Sequence, residues 1–419
     1  MAYITSLPEP ENNFLGQANR IDAWFRYAVQ GDDQLRQRVT FALSELMVVS
    51  DSSMLFNTPA GLADYYDTLS AHAFGDFRTL MEAVTLHPAM GVYLSMLGNE
   101  KPDASRNIRP DENYAREHMQ LFTLGLVELN MDGSVKNDAL GEPIPTYNQQ
   151  IIEGFAHVYT GWTFGGSANF NRPSFNFTTP MEAFQDLTQA LDNIFKHPNV
   201  APFVSRHLIQ KLVTANPSPA YINRVALAFS DAGNGQRGNL EAVVRAVLLD
   251  TEARAPMGDA GGKLVEPLLC LVQLWRAYNV SAASGRFFFP APEQSFAQGP
   301  LRSPSVFNFF SPFYAPPGEI SDQGLVSPEM QITNETTIPS THNYLAIAIF
   351  LQNSSTPVLR EDTIAIDIAS DLALAGDRET LIESVATRLL GQPPSASLRT
   401  QIDDLLDRIP ASDADFRVA

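Results

Sequence analysis

One cysteine, Cys270, stands among 419 residues, which excludes an internal disulfide and any zinc site built mainly from cysteines. It falls in the apolar helical run LVEPLLCLVQLW, where a buried and inert thiol is the expectation. Long hydrophobic runs are missing too, and no stretch approaches the ~20 apolar residues that a transmembrane helix needs. Positive charge is in short supply: 28 Lys and Arg face 47 Asp and Glu, a formal net charge of −19. Such a chain repels a phosphate backbone, so nucleic acid is excluded as a partner. No nucleophile elbow, phosphate-binding glycine loop, HExxH helix, dinucleotide fingerprint or repeat of solenoid period occurs. The glycine-rich stretch Gly161 to Gly166 follows a predicted helix rather than a strand, and Trp162 within it reads as a core plug at the helix end.

What is present is helical periodicity over a composition, 44% hydrophobic, that can bury a large core. The pattern predicts helices over Gln34 to Ser50, Ala60 to Ala73 and Phe77 to Leu86. Four more are expected near the end: Asn343 to Leu351, Asp362 to Leu374, Arg378 to Leu390 capped by Asp377, and Leu398 to Asp407 capped by Ser395. His87-Pro88 and His197-Pro198 each put a proline at the first position of a helix, so both histidines read as helix-start residues rather than ligands. The expected fold class is mainly α, a multi-helix globular bundle in one domain over 1–419, with a helical core at 20–280 and C-terminal helices at 325–419.

Two segments break the helical pattern. In Val127 to Tyr147, Asp132-Gly133 and Gly141 bracket short alternating stretches, the sign of a small β-hairpin excursion. Its Asn130, Asp132, Ser134 and Asp138 resemble a calcium loop only superficially, because the glycine is misplaced and no glutamate closes the frame. In 286–318, nine aromatics are interleaved with seven prolines, which predicts a long ordered loop laid over the helical core. The functional alternative for that segment is an aromatic groove for a sugar chain, peptide or apolar ligand, with Phe309 and Phe310 in it, Arg302 and Gln298 as polar anchors, and Trp162 nearby.

The densest set of polar groups is PDENYAREHMQLFTLG, Pro110 to Gly125. Asp111 or Asn113 can cap this helix, Glu112 sits in its first turn and Gly125 is the residue expected just past its end. At 3.6 residues per turn, Glu112 faces Arg116 and Asn113 faces Glu117 and then Gln120, so each carboxylate has a local polar neighbour. A paired carboxylate keeps a low pKa and makes a poor general acid. Tyr114, His118, Leu121 and Phe122 form the apolar stripe opposite. Glu112, Asn113, Arg116 and Glu117 are thus the candidate catalytic residues, against the competing expectation that the charges form a polar network holding helices in register. No metal site is expected, because Glu117 and His118 point ~100° apart, and no cofactor is implied. Glu153 and His157, four apart on a predicted helix, read as a surface polar pair.

The run ENYAREHMQLFTLGLVELNMDGS with TYNQQIIEGFAHVYTGW resembles the bacterial family called domain of unknown function 1800. QLRQRVTFALSE, AFGDFRTLMEAVTLHPAMGVYLS, HPNVAPFVSRHLIQKLV and SPSVFNFFSPFYAPPG resemble further blocks of it, in order along nearly the whole chain. The resemblance brings no settled activity. It implies an exported protein, although this chain opens MAYITSLPEPENN with no apolar signal core, and it implies a His-Asp pair that Asn171 to Ala183 lacks. Both ends read as cut relative to the family, and arginine is usual where this chain has His157. The resulting expectation is a periplasmic or extracellular binding or scaffolding protein, partnered by an envelope protein or a polysaccharide. The alternative is a hydrolase-like or metal-dependent enzyme that acts on such a polymer through the Glu112 to Glu117 helix.

Overall fold

Proline and small polar residues divide the helical pattern into short pieces, each with its own start signal. Asp76, Asn148, Ser218, Asn239, Asp377 and Ser395 all accept a backbone N–H from the first turn of the helix they precede. His87 does the same through its ring, taking the N–H of Ala89, and Pro88 opens the helix Pro88–Tyr93. His197 accepts from Asn199 N at 3.2 Å, but there the helix begins two residues after the proline, as Val200–Leu212. The computed structural model describes residues 16–52, 54–164, 181–255, 262–350, 360–410 and 412–418. Among these the fold is mainly helical, with isolated β-bridges and no sheet. The opening segment and Asn171 to Pro180 lie outside the described residues.

The described residues gather into two compact units. The first holds Asp33–Leu264 and Pro300–Ile332, with the chain up to Arg20. Its core joins Tyr65, Phe77, Tyr114, Phe122, Tyr159 and Trp162 to Val204, Leu208, Tyr221 and Phe229. Val200–Leu212 is the central helix of this unit, packed on Gln34–Leu46, Pro219–Ser230 and Leu240–Leu249. The second unit holds Ile21–Asp32, Val265–Gly299 and Thr333–Ala419. Its core is an aromatic nest: Phe25 meets Trp275 at 4.9 Å between ring centroids, and Phe289 meets Tyr344 at 4.8 Å and Phe296 at 6.0 Å.

The β excursion turns back on itself at both predicted corners, with antiparallel bridges Leu129 to Val135 and Asn137 to Pro143 across them, and a third pairing closes it. Its three short segments close into a ring: Glu128 N donates to Ile144 O at 2.7 Å, Ile144 N to Lys136 O at 3.0 Å, and Lys136 N to Glu128 O at 2.8 Å. Isolated bridges Leu129 to Val135, Asn137 to Pro143 and Val127 to Pro145 flank these bonds. Gly133 and Gly141 make the corners with φ of +77° and +87°, which only glycine adopts without strain. The calcium-like side chains turn inward to this backbone, since Asp132 accepts from Ser134 N and Asp138 from Leu140 N and Glu142 N.

Three expectations change in detail. The predicted helix over Asp362 to Leu374 shrinks to Ala369–Leu372, because Ile364, Ile366 and Ile368 are buried at a spacing of two, the period of an extended strand, and Ala365 bridges to Ser281. Cys270 is exposed rather than buried: the helix Pro267–Ala277 buries the stripe Leu268, Leu271, Val272 and Trp275, and Cys270 falls outside it. The aromatic segment at 286–318 divides at Pro300, so Phe287, Phe289 and Phe296 serve the second unit while Phe309 and Phe310 are buried in the first.

Candidate functional site

The helix of the PDENYAREHMQLFTLG run is regular only over Asn113–Glu117. From His118 to Thr123 it widens into a π turn, where Leu124 N reaches back five residues to Met119 O at 2.8 Å and Thr123 Oγ1 donates to His118 O at 2.6 Å. Asp111 takes the N–H of Asn113 at 2.8 Å at the start, and Gly125, φ +75°, stands just beyond the end, as the sequence predicts. Such π turns are uncommon and concentrate where function needs a side chain re-aimed. Here the change of pitch falls immediately after Glu117.

The helix presents two chemically different faces. On the outer one, Glu112 and Arg116 pair at 2.9 Å, and Gln149 Nε2 donates to both Glu112 oxygens at 3.0 Å and to Glu153 at 3.3 Å. These groups are half-buried or exposed, so the chain of bonds lies at the surface, with His157 exposed further along the helix Gln149–Val158 that carries Gln149 and Glu153. Tyr114 and His118 face the core. Tyr114 Oη bonds Thr85 Oγ1 at 2.7 Å, and His118 Nδ1 lies 3.0 Å from Tyr159 Oη. Burial pushes the His118 ring down to about 3, with the Arg78 charge adding to the effect, so the imidazole is neutral.

Glu117 belongs to neither face. It is 7% exposed, and its Oε2 is enclosed with no hydrogen-bond partner among the described residues. The expected pairing with Asn113 is not made there, and the expected low pKa is reversed: burial raises the Glu117 carboxyl above the usual range, while Arg116 only partly opposes this. Two tyrosines feel its charge. Tyr147, raised to about 12 by burial and by Glu117 against Arg116, also has an enclosed hydroxyl with no partner among the described residues. Tyr93, likewise raised to about 12 by burial and Glu117, is hydrogen-bonded to Ser303. Of the four candidates, then, the structure joins Glu112 to Arg116 and sets Glu117 apart with Tyr147 and Tyr93. Both tyrosines lie in the family-like runs 146–162 and 73–95, but no local spacing ties either to Glu117, so the cluster became visible only in the fold.

The second set of expected ligand-binding residues is interior. Trp162 is fully buried with its Nε1 donating to Val158 O at 3.4 Å, and Phe309 and Phe310 pack in the core of the first unit. Arg302 and Arg20 share the buried carboxylate of Asp51, each at 2.8 Å. Gln298 bridges Glu266 and the N–H of Leu268 in the second unit. An open depression of 710 Å³ does occur, lined by Asn99, Glu100, Lys101, Asp103, Arg106 and Thr163, in which Arg106 forms surface ion pairs with Glu100 and Asp103. No group of three or more His, Cys, Asp or Glu able to hold a metal ion occurs among the described residues, and no helix there is long and apolar enough to cross a membrane.

One family model matches residues 8–417, nearly the whole chain, and its description is Protein of unknown function (DUF1800). No curated protein and no solved structure matches.

Proposed function

This chain belongs to the DUF1800 family, and we propose that within it the chain serves as a binding protein of the cell envelope or the extracellular space, with a hydroxyl-rich polymer such as a polysaccharide as its ligand. One observation carries the reading: Glu117 Oε2 and Tyr147 Oη are both enclosed and both lack a partner among the described residues. A buried polar atom left unpaired costs ~1–3 kcal/mol, so folds retain one where something else completes it. A sugar hydroxyl completes both, because it donates to the carboxylate and accepts from the phenol. The half-buried rings of Tyr93 and Tyr147 supply the flat apolar surface that sugars stack on. Tyr147 is the side chain that moves to admit the ligand, since its ring is partly exposed while its hydroxyl is covered. The export signal usual in the family supports the location.

The test is retention of the chain on immobilised cell-wall polysaccharides, compared with Glu117→Gln and Tyr147→Phe. Each substitution removes one completing bond, and the expected loss is ~10-fold in affinity. Equal retention of wild type and both variants, or retention of none, counts against the reading. A second reading, hydrolysis of the same polymer, is favoured by the raised Glu117 carboxyl, which suits a general acid. It requires product release from the polymer that disappears in Glu117→Gln.

A further inference from the structure

We propose that Arg206, on the helix Val200–Leu212, is an oxyanion-binding residue that takes a ligand carboxylate or phosphate against the ring of Phe313. The inference is independent of the Glu117 site. Arg206 is half-buried, and its Nε is enclosed without an acceptor. No hydrogen bond or ion pair engages its guanidinium among the described residues. The guanidinium lies 4.7 Å from the centroid of Phe313, over the ring face.

Arg20, Arg78, Arg224, Arg286, Arg302, Arg388 and Arg399 each hold an acid, and Arg237 and Arg276 instead give their N–H groups to backbone carbonyls; Arg206 does neither among the described residues. Sequence alone shows the difference, since the residues three and four away from Arg206 on its helix are Phe203, Pro202, Ile209 and Gln210, none of them acidic. The surrounding charges do not fill the gap. Lys211 is already paired with Glu45 at 3.1 Å and lies 3.9 Å from the Phe310 ring, so that pair is neutral in sum. His207 is half-buried, with its Nδ1 2.8 Å from Phe203 O; desolvation, helped by Arg206 and Lys211, lowers it to about 4 and leaves it neutral. Arg206 therefore keeps its positive charge with no acid beside it among the described residues, in a chain of net −19.

Its geometry fits a two-oxygen acceptor. A guanidinium presents Nε–H and Nη–H as a planar fork that one carboxylate or phosphate satisfies with two parallel bonds. The site is held in shape from beneath: Gln210, one turn along the helix, donates Nε2 to Pro312 O at 3.1 Å and to Ala215 O at 3.0 Å, which fixes the loop carrying Phe313. Phe313 is 56% exposed, so the ring forms a wall that solvent-borne ligands can reach. Desolvation also lowers the Arg206 pKa, the cost that a bound anion would relieve.

The experiment uses the native chain and an arginine-selective dicarbonyl, phenylglyoxal, with modification of Arg206 read by peptide mass. Succinate and inorganic phosphate are compared with sodium chloride at equal ionic strength, which separates a carboxylate from a phosphate source. The expected result is at least ~5-fold slower modification of Arg206 with one of the two oxyanions, and no change with chloride. Equal rates in all three salts, or no modification of Arg206 in the free chain, overturn the proposal. The same anion raises the unfolding midpoint of the wild type, less that of Arg206→Lys, which keeps the charge without the fork, and not that of Arg206→Gln. An equal rise in all three chains overturns it as well.

Discussion

The side chain of Asn199 holds the backbone of Leu129 at 2.7 Å, its Oδ1 accepting the Leu129 N–H. From the other end of the same amide, Nδ2 donates to Leu124 O at 2.9 Å and Val127 O at 2.8 Å. Asn199 is completely buried, so this one residue seats the three-segment ring and the end of the π turn on the start of the central helix.

Asn199→Ala leaves one backbone donor and two acceptors without that amide in the interior. The expected cost is about 2 to 4 kcal/mol by the usual penalty for unmet buried groups. Urea unfolding of the two chains measures it. A change below ~1 kcal/mol would mean that water replaces the amide there.

Acid should weaken the fold through its desolvated imidazoles. His118 is lowered to about 3 and His207 to about 4, both mainly by desolvation, from an ordinary value of 6.5. Folded values below the unfolded one mean that the unfolded chain binds more protons, so the contribution is whole above pH 6.5 and drains away as the pH falls toward 3. His118→Phe keeps a ring in place and removes one titrating group. Its stability should fall less steeply between pH 6.5 and 4 than that of the wild type, and parallel curves would contradict the assignment.

Glu117 titrates in the opposite sense. Its folded value is raised, so the charged form is the one the fold tolerates less; the penalty is absent below the ordinary 4.5 and present once the pH exceeds the folded value. Glu117→Gln is expected to gain stability at pH 7 and none at pH 4. Thermal unfolding at both pH values reads the difference. A loss at pH 7 would show the carboxylate to be stabilising and paired.

The helical architecture was legible because caps and periodicity act locally. Asp377 and Ser395 accept from Thr380 N and Leu398 N where predicted, and Arg378–Leu390 begins and ends where predicted. The misses came where a neighbour in space decided the outcome. Nothing in PDENYAREHMQLFTLG announces a π turn from His118 to Thr123, so the angle from Glu117 to Gln120 was taken from 3.6 residues per turn; Asn113 lies one regular turn before Glu117 and still makes no bond to it. Three isoleucines spaced by two at Ile364, Ile366 and Ile368 did announce an extended segment, and the helical reading passed over them. Tyr147 and Tyr93 come to Glu117 from distant points in the chain, which no local pattern encodes.

The ring formed by Glu128, Lys136 and Ile144 spends both the donor and the acceptor of each of those residues on its own members. An ordinary hairpin would leave an outer row of amides able to recruit a foreign strand. A circuit that closes on itself offers no such starting point at its centre, even though its Leu140 corner is 88% exposed.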